Sequence, residues 1–491
     1  MIRNIAALFG GNMASWVASL VFWIVVPRLI GPNGWGEFNL GIAVSGVVFA
    51  IASLGITTFL VKEISRDRGR APEYVGTGLS THLILVTFGL AAITMFTFIA
   101  RYPEHTRIVV LLVSLITAFG FVVSPAFFAL QATERIKLAA VLHNGRQALG
   151  NLLVAGVGLA AGLNVEVLVA VLLVCNLVAS LLQVGVTARL VGIRFRFNAA
   201  LSRWMVIGGL PFWTNSVLLT FYIWIDTVLL SILVSTREVG YYAAPVQILS
   251  TLAFLPAIIT FAIFPAMSSN FRVDFDRVRR LTRTSLAALL TLGIPLSIGT
   301  ALTGPDLIRH IFGPAFEPAA PAMVILALAL VPGYIAVLSF YVLAAVDRQS
   351  SWAYVLGVTA VVNPLINLVA IPLAQSRFGH GSIGAAAALL VTDWGICVAG
   401  FALMPRECLR PVGPLMSITG RVLIATATMS VPVWFVRNMF PVIPIGLGIV
   451  VFMAAAFALR IYRSEGFAEA WVPLRARLSA RFRRPVEVPA A

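Results

Sequence analysis

The sequence predicts an all-α polytopic membrane protein with about 14 transmembrane helices, and three observations carry that expectation. Sixty per cent of the 491 residues are apolar and 11% are charged, against about 25% charged in an average soluble chain. A single water-surrounded core does not absorb that much apolar surface. The apolar residues gather into runs near the length of about 20 that crosses a bilayer, and the basic residues sit between those runs. The runs lack the alternation of barrel strands. Backbone groups in lipid must be satisfied within their own segment, so each run reads as a helix.

In chain order the runs fall at about 5–27, 38–61, 79–100, 108–130, 142–162, 165–187, 204–233, 241–267, 284–303, 320–345, 351–373, 383–404, 421–437 and 445–462. With the N-terminus in the cytoplasm, the inside segments hold 28 of the 35 Lys and Arg residues and the outside segments hold seven. That asymmetry is the positive-inside signal, and it places both termini in the cytoplasm. A missed span would invert every later loop and blur it. The net charge of +16 is thereby read as topology and not as a nucleic-acid footprint. The first run is too long for the apolar core of a cleavable signal and no cleavage site follows it. After Tyr462 the chain turns basic, with Trp471, Leu474, Leu478 and Phe482 on one face, the pattern of an interfacial helix.

The inter-run loops are short, and no nucleophile motif, phosphate loop or zinc spacing occurs in them. Cys175, Cys397 and Cys408 lack metal-ligand spacing, the five His are scattered, and Asp306, Arg309, His310 and Glu317 read as an ordinary solvated loop. No covalent chemistry, no cofactor and no metal ion is expected.

Two halves repeat. Gly36 in Gly31-Pro32-Asn33-Gly34-Trp35-Gly36-Glu37-Phe38 aligns with Gly240 in Ser235-Thr236-Arg237-Glu238-Val239-Gly240-Tyr241-Tyr242, each with an aromatic two residues on. Glu134-Arg135 after the fourth run matches Asp347-Arg348 after the tenth, and Asn151 falls near Asn363. Six spans is an even number, so both halves keep one orientation, a parallel repeat. The expected organisation is a six-helix lobe at 1–187, a cytoplasmic linker at 188–203, a second six-helix lobe at 204–404, two extra helices at 405–462 and a basic tail at 463–491.

Several stretches, taken in order, carry a family likeness: Asn12…Pro27-Arg28-Leu29-Ile30-Gly31-Pro32…Gly34-Trp35-Gly36, Leu210-Pro211 with Ile225-Asp226 and Val239-Gly240-Tyr241-Tyr242-Ala243, Leu255-Pro256 with Phe264-Pro265, and Ile311-Phe312-Gly313-Pro314-Ala315-Phe316. Over nearly its whole length the chain resembles the Wzx-type polysaccharide and O-antigen flippases of the multidrug/oligosaccharidyl-lipid/polysaccharide exporter superfamily. The resemblance implies two lobes around a cavity that opens alternately to each side. It also implies a place in the bacterial inner membrane, and translocation of an undecaprenyl-diphosphate-linked oligosaccharide from the cytoplasmic to the periplasmic leaflet. Which sugars, and which pathway among O-antigen, lipopolysaccharide, capsule or exopolysaccharide, does not carry over. The partners so implied are the lipid-linked oligosaccharide, membrane lipids and a proton or sodium coupling ion. Competing readings are a cation-coupled multidrug exporter, a peptidoglycan-precursor flippase and a membrane polysaccharide polymerase or ligase.

Polar residues inside apolar runs are the site candidates, because a charge at a helix centre costs about 2.5–3.5 kcal/mol on insertion scales. Asp226 leads, with Asn215 and Tyr222 on its face; it reads as a coupling or substrate acid, or as a structural acid paired with a neighbouring helix. Asp393 is a second intramembrane acid with the same two readings. Arg28 at the outer end of the first run suits a diphosphate or a snorkelling interfacial position. Asn12 and Trp16 lie on a polar stripe with Ser15 and Ser19. Arg146 and Asn151, with Asn144, and Asn363 with Asn367, read as cavity groups or as interhelical hydrogen bonds.

Overall fold

The structure is a computed structural model that describes residues 2–162 and 164–461, without the side chains of 2–17, 136, 161 and 215. The expected basic tail at 463–491 lies outside the described residues. The chain is an all-α membrane protein with about 14 transmembrane helices and, among the described residues, no strand. Ten helices are long and apolar enough to cross a bilayer by length and composition, and a bent pair passes the same test together. Large apolar side chains such as Phe88, Ile99 and Phe435 stand exposed, as a lipid-facing surface requires.

The helices are α1 (Ile2–Ala52), α2 (Ile56–Arg66), α3 (Ala71–Ile99), α4 (Glu104–Ala132), α5 (Ile136–Ala161), α6 (Val165–Leu190), α7 (Ala199–Leu233), α8 (Thr236–Leu252), α9 (Phe254–Asn270), α10 (Phe275–Phe312), α11 (Ala320–Leu328), α12 (Leu330–Ala345), α13 (Gln349–Phe378), α14 (Gly381–Leu403), α15 (Arg406–Leu409), α16 (Val412–Val436) and α17 (Val442–Ala458). The first two expected spans form one helical stretch, α1, reversed at Gly31 (φ 69°, ψ 179°). The segment read from sequence as a loop is already helical from Pro32, and Trp35 within it is wholly buried. One glycine in the left-handed region supplies the reversal, and proline at the first helical position needs no amide partner. The eighth span breaks at Ala253 into α8 and α9, and the tenth bends by 40° between α11 and α12. α5 is not among the ten strongly apolar helices, because it carries His143, Asn144, Arg146, Gln147 and Asn151.

By packing, the described residues divide into two compact units. One draws on Met1–Ala244, Ile311–Ala319 and Leu356–Ala388; the other on 245–310, 320–355 and 389 onward. This division does not follow the lobe limits expected at 187 and 204, since α7 and most of α13 group with the N-terminal helices. In the first unit α1, α3 and α4 enclose Leu40, Val44, Phe49, Val86 and Val110. In the second, α10, α16 and α17 pack around Ala287, Ile294, Val422 and Ala425.

The helix ends keep a repeat register. α2 ends at Arg66 and α9 at Asn270; α3 begins at Ala71 and α10 at Phe275, in both cases 204 residues apart. α4 ends at Ala132 and α12 at Ala345, and α5 begins at Ile136 and α13 at Gln349, a separation of 213. The added nine residues are the difference between α3, of 29 residues, and α10, of 38. Glu134 and Asp347 both take a left-handed backbone (φ 63° and 60°) after their helices. Each is closed by the same amide-to-carbonyl bond, Arg135 to Leu130 and Arg348 to Leu343, a helix-ending motif. Glu134 then pairs with Arg68 and Asp347 with Arg272, again 204 residues apart.

The same register appears where α1 meets α8. A Cβ on Gly36 would lie 1.7 Å from the Thr236 carbonyl oxygen, and one on Gly240 would lie 2.0 Å from that of Pro32. Position 36 touches 32 plus 204, and position 240 touches 32: a reciprocal crossing that only glycine permits. Gly36→Ala or Gly240→Ala is expected to destabilise the fold by about 1–3 kcal/mol through overpacking. Gly145→Ala, where a Cβ meets open space, should hold or raise stability. Thermal unfolding of the purified protein in detergent, read for all three variants, checks the contrast.

Candidate functional site

α5 presents a polar face to a cavity of about 270 Å³ lined by His143, Arg146, Gln147, Gly150, Asn151, Leu172 and Asn176. At 1.5 Å per residue, Arg146 stands about 15 Å along α5 from its start and four residues inside the apolar run at 142–162. Its guanidinium passes 3.8 Å from where a Cβ on Gly120 of α4 would lie, an ordinary van der Waals distance. Among the described residues no carboxylate interacts with Arg146. Asn151 donates from Nδ2 to the Ser19 hydroxyl of α1 at 3.1 Å, and Asn176 donates to the Leu172 carbonyl at 2.9 Å. The result is a half-buried cation among neutral hydrogen-bonding groups, a setting complementary to an anion carrying hydroxyls. Sequence reasoning found Arg146 and Asn151. It missed His143, Gln147 and Asn176, although Gln147 and Asn151 stand one helical turn apart on the same helix.

A second polar constellation surrounds Asp226, which is 1% exposed. Tyr242 donates its hydroxyl to Oδ2 at 2.9 Å, and Asn367 donates from Nδ2 to Oδ1 at 2.7 Å. Asn363 also hydrogen-bonds the carboxylate, and Asn367 reaches the Asn363 side-chain oxygen at 3.1 Å. Both asparagines are fully buried. The Asn367 side-chain oxygen is buried without a donor. Asp226, Asn363 and Asn367, picked out separately in the sequence, thus form one site joining α7, α8 and α13. Tyr242 was missed as a member, though it stood in the quoted Val239-Gly240-Tyr241-Tyr242 run.

The other candidates stand apart from these two. Arg28, exposed on α1, donates from Nε to the Ile311 carbonyl at 2.7 Å, which ties α1 to the 311–319 segment. Tyr222 is half-buried on α7. Asn12 and Trp16 lie on α1 and Asn215 on α7, but their side chains are outside the described residues. Asp393, half-buried on α14, has a carboxylate oxygen 3.9 Å from the Cβ position of Gly333 on α12.

Histidines that are scattered in sequence are not scattered in space. At the α1–α8 crossing His105 faces buried Glu37, and His380 faces buried Glu238. Among the described residues no three His, Cys, Asp or Glu side chains stand close enough to hold a metal ion. The second unit contains an apolar cavity of about 580 Å³, lined mainly by α8, α10, α16 and α17, including Leu255, Leu292, Leu296, Leu307, Val433 and Ile449.

A family model described as polysaccharide biosynthesis protein matches residues 1–271. A probable flippase, AglR, of Haloferax volcanii is 24% identical over 458 residues, covering 90% of this chain and 91% of the relative. A putative O-antigen transporter of Shigella flexneri is 23% identical over 331 residues, covering 63% and 76%. Among solved structures, the lipid II flippase MurJ in an inward closed conformation superposes with a TM-score of 0.74 at 12% identity, covering 94% of this chain and 99% of that one. An inward-facing multidrug resistance MATE family transporter of the MOP superfamily gives 0.57 at 13% identity, covering 79% and 93%. These structural likenesses show the fold.

Asp226→Leu takes the carboxylate acceptor from the buried Tyr242 hydroxyl, at about 1–3 kcal/mol for an unsatisfied group, while the Asn367 amide keeps its bonds to Asn363. Asp226→Asn keeps one acceptor oxygen and should cost about half as much. Thermal unfolding of both variants is expected to rank them wild type, Asn, Leu. Equal stability of the Leu variant and wild type would show that the network holds nothing together.

Proposed function

We propose that this chain, which belongs to the polysaccharide biosynthesis protein family, is a flippase that moves an undecaprenyl-diphosphate-linked oligosaccharide from the cytoplasmic to the extracytoplasmic leaflet by alternating access. The observation that carries this reading is the Arg146 cavity. An uncompensated cation is expensive at membrane depth, and Arg holds phosphate oxygens with two parallel bonds. Gln147, Asn151 and Asn176 beside it offer the mixed donors and acceptors that sugar hydroxyls use. The apolar cavity lined by α10, α16 and α17 suits an isoprenoid chain. The function is transport and not catalysis, and the two halves act as six-helix lobes, as their shared register supports. A peptidoglycan-precursor flippase shares the diphosphate chemistry; membership of a polysaccharide biosynthesis family favours the oligosaccharide.

Asp226 is assigned the coupling role. Its carboxylate, the Asn363 side-chain oxygen and the donor-less Asn367 oxygen are acceptors gathered in one buried place, the donor set that a proton or sodium ion satisfies. The membrane is the bacterial inner membrane, as the family likeness implies, and the distribution of Lys and Arg puts both termini in the cytoplasm.

Leaflet-resolved translocation of the lipid-linked oligosaccharide in a deletion strain tests the substrate reading. Arg146→Gln should lower the rate about tenfold or more, as loss of a charged hydrogen bond worth about 1.5–3 kcal/mol requires. Arg146→Lys should be intermediate because it loses the bidentate geometry. Full activity in a normally accumulating Gln variant would sink the assignment. Asp226→Asn should abolish transport while the protein inserts normally. A phosphatase reporter placed at Arg101 should be active outside the membrane and one placed at Arg348 inactive; the reverse pattern inverts the orientation.

A further inference from the structure

The connection from α6 to α7, residues 191–198, is built differently from its counterpart in the second half. α6 ends at Leu190 and α14 at Leu403; α7 begins at Ala199 and α16 at Val412, so both ends of the connection keep the separation of 213. In the second connection Met404 and Cys408 are buried. Their equivalents in the first are Val191, half-buried, and Phe195, 69% exposed. Phe197, 50% exposed, stands where the second half has Arg410. The same place in the repeat thus takes a buried side chain in one half and a bare aromatic ring in the other. The exposure of Phe195 is not a requirement of the fold.

The connection is nonetheless a fixed strap. The Arg194 amide donates to the Pro72 carbonyl, at the start of α3, at 2.9 Å, and the Thr77 hydroxyl donates to the Arg196 carbonyl at 3.3 Å. Gly76 leaves the room: a Cβ there would lie 1.8 Å from the Arg194 carbonyl oxygen. Gly192, at φ 82°, supplies the left-handed residue that turns the chain onto α3. Val191 and Ile193 pack on the core shared by α2, α3, α4 and α7. The Arg196 amide then donates back to the Arg194 carbonyl at 2.7 Å, a three-residue turn centred on Phe195. That turn ends the alternation that would have put Phe195 on the side of Val191 and Ile193.

We propose that this strap is a docking surface for anionic phospholipid of the cytoplasmic leaflet, with Phe195 and Phe197 seated in the interface and Arg194 and Arg196 on the headgroup phosphates. The choice of leaflet rests on the orientation given above; the docking does not depend on which substrate is moved. Two observations select lipid as the occupant. The first is depth. The strap crosses α3 between Pro72 and Thr77, and Tyr74 between them stacks on Trp204 at 5.8 Å. Trp204 is exposed and opens the apolar run at 204–233, and Trp and Tyr gather at the headgroup level. The second is charge. Arg66, Arg68 and Arg70 at this end are paired with Glu63, Glu134 and Glu73. Arg194 and Arg196 are exposed, and among the described residues neither has a carboxylate partner. Uncompensated cations therefore stand beside exposed aromatic rings, the combination that holds a segment at an anionic interface.

The test uses the full-length protein with photoreactive benzoylphenylalanine in place of Phe197, reconstituted in vesicles of equal parts phosphatidylglycerol and phosphatidylcholine. After illumination, mass spectrometry counts the adducts of each lipid. Two arginines on an anionic headgroup should favour the phosphatidylglycerol adduct about tenfold, and raising the salt should reduce that preference. Arg194→Gln with Arg196→Gln should bring the two adducts level. Phe195→Ala should lower the yield of both. Arg406→Gln with Arg410→Gln, in the equivalent connection of the second half, should change neither. Backbone bonds hold the strap, so these variants keep it in place, and unfolding temperatures equal to the parent's check that. Equal adducts in the parent protein, or a preference that survives loss of both arginines, overturns the docking surface. So does crosslinking in cells to a protein in place of lipid. The readout needs no substrate. The preference, found in a protein that moves no lipid-linked oligosaccharide, sinks the transport reading and leaves the docking surface standing; an inverted topology reporter reassigns the leaflet alone.

Discussion

The backbone-on-backbone crossing of α1 and α8 is the constraint on which this end of the structure depends. Gly36 and Gly240 admit carbonyl oxygens to positions that any side chain would fill. Close approach of this kind favours helix association in lipid, where no hydrophobic force drives apolar faces together. Because the contact is reciprocal, with 36 on 236 and 240 on 32, it has the form of a two-fold interface within one chain. The burial of Trp35, Glu37 and Glu238 follows from it. Residues that would otherwise sit in a wet turn are drawn into the packing, and the two glutamates then need His105, Thr106, His380 and the Ser382 amide to be tolerated there.

Membrane burial imposes the same logic elsewhere. In hydrocarbon a polar atom must find its partner within the protein, so intramembrane polar residues collect into sets. Asp226 collects Tyr242, Asn363 and Asn367; Arg146 stands among neutral amides at a cavity. The first set joins α7, α8 and α13 around its acid and keeps one oxygen, that of Asn367, without a donor. The second leaves a cation without a carboxylate beside an open cavity.

The helices, the repeat offset and the intramembrane polarity of Asp226, Asn363, Asn367, Arg146 and Asn151 were legible in the sequence because each rests on a local quantity: length, polarity or spacing. What escaped depended on tertiary approach. Nothing near Gly36 announces that Thr236 will press on it, so the Gly31–Gly36 segment read as a loop. His105 and His380 lie far in sequence from the acids they meet, so their pairing was invisible. Tyr242 was in view as part of a motif, but its hydroxyl acquires meaning only when α8 lies beside α7. The expected lobe limits follow duplication, whereas the compact units follow packing, and helices such as α8 and α13 contribute to both units.

The repeat register also shows how two similar halves take different tasks. At the offset of 204, Asp226 and Tyr242 correspond to Phe22 and Phe38. At 213, Asn367 corresponds to Val154. Phe22 and Phe38 are in ring contact at 6.1 Å, and Phe22, Phe38 and Val154 are all buried. The contact made by a hydroxyl and a carboxylate in the second half is therefore made by two aromatic rings in the first. The converse holds for the cavity. His143, Arg146 and Gln147 on α5 correspond to Leu356, Thr359 and Ala360 on α13, so the second half has no cation at that place. Equivalent backbone positions in the two halves thus carry complementary chemistry: an anion-seeking surface on the first and a cation- or proton-seeking one on the second. Removing charge from each opposite position spares the fold the cost of desolvating an unused ion.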